Sequence, residues 1–85
     1  MGKYEKLLTS ILSGRSDQSI RFTELTHLLG AMGFNERING DHHIYFRQEI
    51  EEILNLQPKG SQAKPYQVRQ VRNLILKYHL EVPNE

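Results

Sequence analysis

The sequence predicts an α+β domain of two layers. A three-stranded antiparallel sheet carries helices on one face in the order α-β-β-β-α, and one extra helix precedes this unit. Three observations predict it. Apolar residues recur at helical spacing in three separate segments. Between the second and third of these the pattern changes to alternation around Asn39-Gly40, a dipeptide that favours a type I′ hairpin turn. The connections between the expected strands are short, so neighbouring strands run antiparallel and parallel crossovers are excluded.

Tyr4, Leu7, Leu8, Ile11 and Leu12 place a short amphipathic helix at residues 3–13, stopped by Gly14. Residues 13–19 are polar and turn-rich, and read as a linker. A second helix runs from about Thr23 to Met32 with Leu25, Leu28, Leu29 and Met32 on one side, and Gly33 ends it. Phe34, Glu36 and Ile38 alternate with Asn35 and Arg37 in a first strand, and the return strand covers Asp41 to Arg47. Residues 52–56 form a third strand, and Pro58, Gly60 and Ser61 mark a loop. Pro65 opens the last helix, whose stripe is Val68, Val71, Leu74, Ile75 and Tyr78. Pro83 limits its continuation.

At 85 residues the chain has room for one domain and a modest core. It divides into an N-terminal amphipathic helix with linker at 1–19 and the α-β-β-β-α unit at 20–85. With no cysteine, disulfide frameworks and thiolate zinc sites are excluded. The histidines show no H-x-x-x-H spacing, so no metal site is expected. The charged amphipathic start leaves no signal peptide or membrane span to draw, and a cytoplasmic protein is the expectation.

Net charge is only +1, but its distribution is uneven. Acids gather at Glu49, Glu51 and Glu52, whereas Lys59, Lys64, Arg69, Arg72 and Lys77 concentrate in the last third. Arg69, Arg72 and Lys77 lie off the apolar stripe, as charges on any solvated helix face do. Lys59 and Lys64, next to a helix N-terminus, make a phosphate site there a stronger candidate.

Gly40-Asp41-His42-His43-Ile44-Tyr45 is the stretch richest in chemistry. Adjacent strand residues point to opposite faces, so His42 and His43 do not act on one substrate together. With Ile44 and Phe46 taken as the core-facing pair, His43, Tyr45 and Arg47 share the opposite face. An imidazole, a phenol and a guanidinium on one face suit RNA cleavage by internal transfer. The 2′-hydroxyl attacks the adjacent phosphate, histidine transfers a proton, and a cation stabilises the extra charge on phosphate oxygens. The nucleophile belongs to the substrate, so the reaction needs no metal. The bland alternative is that a strand histidine beside a tight turn is a surface residue and Tyr45 a packing residue. His27 and His79 read as structural.

Phe22-Thr23-Glu24-Leu25-Thr26-His27-Leu28-Leu29, with Met32-Gly33-Phe34 after it, resembles the first helix and strand of HicA toxins. The family's Gly-Ser-x-His turn is echoed by Gly40-Asp41-His42-His43, and Lys64 to Arg72 stands where its closing basic helix lies. The likeness spans about residues 22–80. It implies a fold like that of double-stranded-RNA-binding domains, an mRNA interferase activity without a cofactor, and inhibition by a HicB-like antitoxin. It puts the catalytic histidine at His43. Asp41 departs from the motif's serine, and the helix at 3–13 is absent from minimal members. That helix must bury its stripe on its own domain, on a second copy to give a homodimer, or on the antitoxin.

The expectation is therefore a toxin endoribonuclease acting on mRNA, with His43 catalytic and Gly40, Tyr45, Arg47, Lys59, Lys64 and Arg69 as RNA contacts. The rivals are a non-catalytic RNA-binding module of the same fold, contacting duplex backbone by shape, and a purely protein-binding domain.

Overall fold

The computed structural model describes residues 4–83. Helix α1 covers Glu5–Ser13, α2 covers Phe22–Ala31, strands β1, β2 and β3 cover Asn35–Asn39, His42–Arg47 and Ile50–Leu56, and α3 covers Pro65–Tyr78. The expected start of the first helix at residue 3 lies outside the described residues. The strands form one antiparallel sheet in the order β1-β2-β3. An α+β domain with three antiparallel strands and three helices is what the periodicities predict. No helix among the described residues is long and apolar enough to cross a membrane.

α1 ends where Gly14 adopts a left-handed conformation (φ 73°) that a residue with a Cβ resists. Its Ile11 is fully buried in the common core, with Tyr4, Leu7 and Leu8 packed against that core and α3 alongside. Of the three surfaces open to this helix, its own domain therefore takes most of the stripe, and Leu12 stays exposed.

The linker is fastened as well. Arg72 of α3 forms a two-pronged pair with Asp17, at 2.9 and 3.2 Å, and donates to the Ile11 carbonyl at 3.0 Å. Arg72 was expected on a solvated face. It is instead mostly buried, because the α1 C-terminus and the linker fold over it and supply acceptors for its guanidinium.

α2 starts one residue earlier than expected and buries Phe22, Leu25, Leu28 and Leu29. The Glu24 carboxylate accepts the Arg21 backbone N–H at 3.2 Å, which satisfies a donor at the helix entrance. α3 has Pro65 in its first turn and buries Val68, Val71, Leu74 and Ile75 as its stripe predicts.

The first hairpin closes on the pair Asn39–His42, so its two loop residues are Gly40 and Asp41. Gly40 has φ 63°, while Asp41 is not among the positive-φ residues. Glycine leads the loop, as in type II′ turns, and the type I′ turn on Asn39-Gly40 is not formed. β3 begins at Ile50, two residues before its expected start. A register shift between Tyr45 and Arg47 lets β3 rejoin β2 with Ile50 in the core.

The largest departure concerns the two faces of β2. Tyr45 is 1% exposed and belongs to the core, whereas Phe46 is 39% exposed. His43, Tyr45 and Arg47 do share a face, but it is the helix-covered one. The reason is the register: His43 pairs with Leu56, Tyr45 with Leu54 and Arg47 with Ile50, all three of them buried. Directly opposed residues share a face, so β3 decides the orientation of β2. Ile44, Phe46 and Ile53 lie on the open face.

Candidate active site

His43 sits at the margin of the helix-covered face, with its side chain 24% exposed. Its Nδ1 lies 3.3 Å from the Glu36 carboxylate on β1. A carboxylate only accepts, so Nδ1 carries the hydrogen of this bond, and in the neutral ring Nε2 holds the lone pair. The ring meets Phe22 edge-on at 4.9 Å between centroids, 73° between planes. These two contacts hold the imidazole, one polar and one apolar.

Glu36 stands directly across from Tyr45, and the phenol donates a short hydrogen bond to the same carboxylate oxygen that faces His43. The Tyr45 and His43 hydrogen bonds hold the Glu36 carboxyl below its ordinary value of 4.5, so it is ionised at neutral pH. Burial, reinforced by the Glu36 charge, pushes the Tyr45 phenol well above its ordinary value. Tyr45 is thereby a fixed hydrogen-bond donor inside the core, not an RNA contact on the surface.

His43 opens on a groove of about 550 Å³ lined by Arg21, Phe22, Thr23 and Thr26 on one side and Pro58, Gly60, Ser61 and Gln62 on the other. The two walls are tied through the backbone. Phe22 N–H donates to the Ser61 carbonyl at 3.0 Å and Ala63 N–H to the Ile20 carbonyl at 2.9 Å. Residues 59–62 form a tight turn closed by two reciprocal bonds between Lys59 and Gln62. The groove therefore brings together the α2 entrance, the turn before α3 and the start of β2.

The other residues expected at the site separate. Arg47 is four residues along the strand from His43, about 13 Å at ~3.3 Å per residue. It donates to the Met32 carbonyl at 2.7 Å and pairs with Glu49 at 2.6 Å. Gly40 is in the hairpin turn and does not line the groove. Lys59 is exposed on the tight turn whose Gly60 and Ser61 do line it. Lys64 caps α3, with Nζ 3.5 Å from the Gln57 amide oxygen, and Arg69 is exposed one turn further on. Lys77 pairs with Glu52, which Lys77 and Tyr78 draw down to about 2.

Two residues of the site carried no role in the sequence reading. Glu36 was only an alternating strand position, although its placement beside His43 follows once the hairpin register is known. Among the described residues Arg21 is the one arginine or lysine lining the groove, and it gets there because Arg21 bridges to Gln62. That pairing of distant segments leaves no local sequence signal. Among the described residues no three His, Asp or Glu side chains converge as metal ligands.

The chain matches no protein-family model, no curated protein and no solved structure.

Proposed function

We propose that this protein is an endoribonuclease that cleaves RNA by internal transfer, with His43 as the general base. The observation that carries the reading is the His43–Glu36 contact at 3.3 Å beside an open groove containing Arg21. The motif resemblance supports the finer reading: the toxin half of a toxin–antitoxin pair, acting on mRNA, with a fold like double-stranded-RNA-binding domains and a HicB-like partner.

In this mechanism Nε2 of His43 accepts the proton of a ribose 2′-hydroxyl. The 2′-oxygen forms a bond to phosphorus while the bond from phosphorus to the 5′-oxygen breaks. The departing 5′-oxygen takes a proton from water, and the hydroxide so formed takes the proton held on Nε2, leaving a 2′,3′-cyclic phosphate, a 5′-hydroxyl and the restored base. Arg21 offers its guanidinium to the phosphate oxygens as their charge grows. Glu36 stabilises the imidazolium that appears during the transfer and keeps the tautomer whose Nε2 is free to accept. Tyr45 holds Glu36 in that position from within the core.

The test compares wild type, His43→Ala and Arg21→Ala on a long single-stranded RNA with chelator present. The expected result is cleavage by the wild type, none by His43→Ala with an unchanged melting temperature, and slowed cleavage by Arg21→Ala. Products ending in cyclic phosphate complete the expectation. Intact RNA bound by all three proteins would overturn the catalytic reading in favour of a binding module.

A further inference from the structure

A second concavity, of about 330 Å³, lies at the same end of the sheet, between β3 and the start of α3. It includes His42, the neighbour of the proposed base, with side chain on the opposite side of β2. Asn55 and Ile53 of β3 and Tyr66 and Gln70 of α3 line it, with Gln57 at the rim. The segment between β3 and α3 serves both concavities, since Gln57 borders this one and Pro58 and Gly60 border the groove of His43.

Its chemistry differs from the groove's. Among the described residues no charged side chain lines it, and its polar groups are amides, an imidazole and the Tyr66 phenol. Asn55 Oδ1 lies 3.0 Å from His42 Nδ1, an arrangement that leaves the Asn55 amide N–H groups available. Beneath them the buried Gln67 amide grips the Gln57 backbone, donating to its carbonyl at 3.1 Å and accepting from its N–H at 2.9 Å. Tyr66, 49% exposed, is the aromatic side chain of the lining.

Cations flank it. Lys64 reaches toward Gln57, and Arg69 lies three residues after Tyr66 on the first turns of α3. Neither is in an ion pair among the described residues, whereas Arg47, Arg72 and Lys77 are. An exposed aromatic face, uncharged donors and acceptors at its edge and free cations on either side fit a base with its two phosphates. A protein anchor site of this size would have an apolar centre.

We propose that this concavity is a nucleobase subsite, in which an unpaired base of the RNA stacks on Tyr66. The amides of Asn55 and Gln70 meet the edge of the base, and Lys64 and Arg69 take the flanking phosphates. The strand then crosses the segment 57–62 toward His43. This rests on the ribonuclease reading for the identity of the polymer.

The test uses a short single-stranded oligonucleotide of 2′-O-methyl ribose, which cannot undergo the transfer reaction, and a second one of equal length with abasic positions. Both are titrated into wild type, Tyr66→Ala and Tyr66→Phe, and cleavage of unmodified RNA by the wild type is measured in parallel. Stacking predicts that Tyr66→Ala weakens binding of the base-bearing strand by about 5- to 150-fold. Binding of the abasic strand stays unchanged, and Tyr66→Phe keeps wild-type affinity for both. Equal affinities of wild type and Tyr66→Ala for the base-bearing strand overturn the subsite, as a surface for a protein partner requires. Equal losses on both strands also overturn it, because they report lost charge or fold. If the wild type cuts RNA in either case, the ribonuclease reading stands alone. If it neither cuts nor binds, both fall.

Discussion

Replacing Glu36 with glutamine removes one charge from the site while keeping the shape of the side chain and an oxygen for the Tyr45 phenol. The carboxylate is 3.3 Å from His43 Nδ1, a separation at which opposite unit charges attract by about 5 kcal/mol at an effective dielectric of 20. The same pair in bulk water is worth about 1.3 kcal/mol. Glu36 is 40% exposed and His43 24%, so solvent screening places the value near the lower limit, at about 1–2.5 kcal/mol. Because the imidazolium exists only once the proton has moved, this is stabilisation of the transition state, equivalent to about 5- to 70-fold in rate. The glutamine amide also offers an N–H to Nδ1, which favours the tautomer whose Nε2 cannot accept. Single-turnover cleavage of RNA in chelator should show kcat reduced within that range, KM within about twofold of wild type, and an unchanged far-UV spectrum. An unaltered kcat would refute the orienting role of Glu36 and leave His43 acting by itself.

Breaking the Arg72–Asp17 pair by Asp17→Ala strands a mostly buried guanidinium, and with both side chains slightly exposed the cost is about 2–3 kcal/mol. For a domain of this size that lowers the melting temperature by about 10–20 °C, which calorimetry would register. The Glu36 carboxyl has a depressed folded-state value, so its contribution is present above the ordinary carboxyl value of 4.5 and is lost as pH falls through the lower folded value. Tyr45→Phe should therefore cost about 1 kcal/mol at neutral pH and progressively less in acid, seen as urea midpoints that converge at low pH. At the alkaline end the raised Tyr45 value makes wild-type stability fall above pH 10, where the unfolded phenol ionises and the folded one does not. Tyr45→Phe lacks that decline. Arg47→Ala loses the bond to the Met32 carbonyl and should cost about 1–2 kcal/mol in stability with RNA cleavage per folded molecule unchanged. A selective loss of kcat in that variant would return Arg47 to the site.

How much of this was legible in the chain differs between elements for physical reasons. The three helices were, because the 3.6-residue recurrence of Leu25, Leu28 and Leu29 or of Val68, Val71, Leu74 and Ile75 is a local signal that folding then buries. The end of α1 and the start of α3 were as well, since Gly14 and Pro65 act within a single turn. The order of strands followed from short connections. The faces of β2 did not follow from β2. Ile44 and Phe46 are more apolar than His43 and Tyr45, so the strand alone argues for the wrong side. The parity of Ile50, Leu54 and Leu56 in β3 overrules it through the ladder.

The sequence by itself determined that this protein has three amphipathic helices, an antiparallel sheet and a histidine beside a glycine turn, because each depends on residues a few positions apart. Tertiary structure alone decided what surrounds that histidine. Glu36 reaches it through the strand register, Phe22 and Arg21 through the pairing of residues 21–22 with 61–62, and Arg72 leaves the surface because Asp17 and the Ile11 carbonyl meet it. Those contacts join positions up to 61 residues apart in the chain. A local pattern holds no record of them, since their energy exists only after the layers have closed.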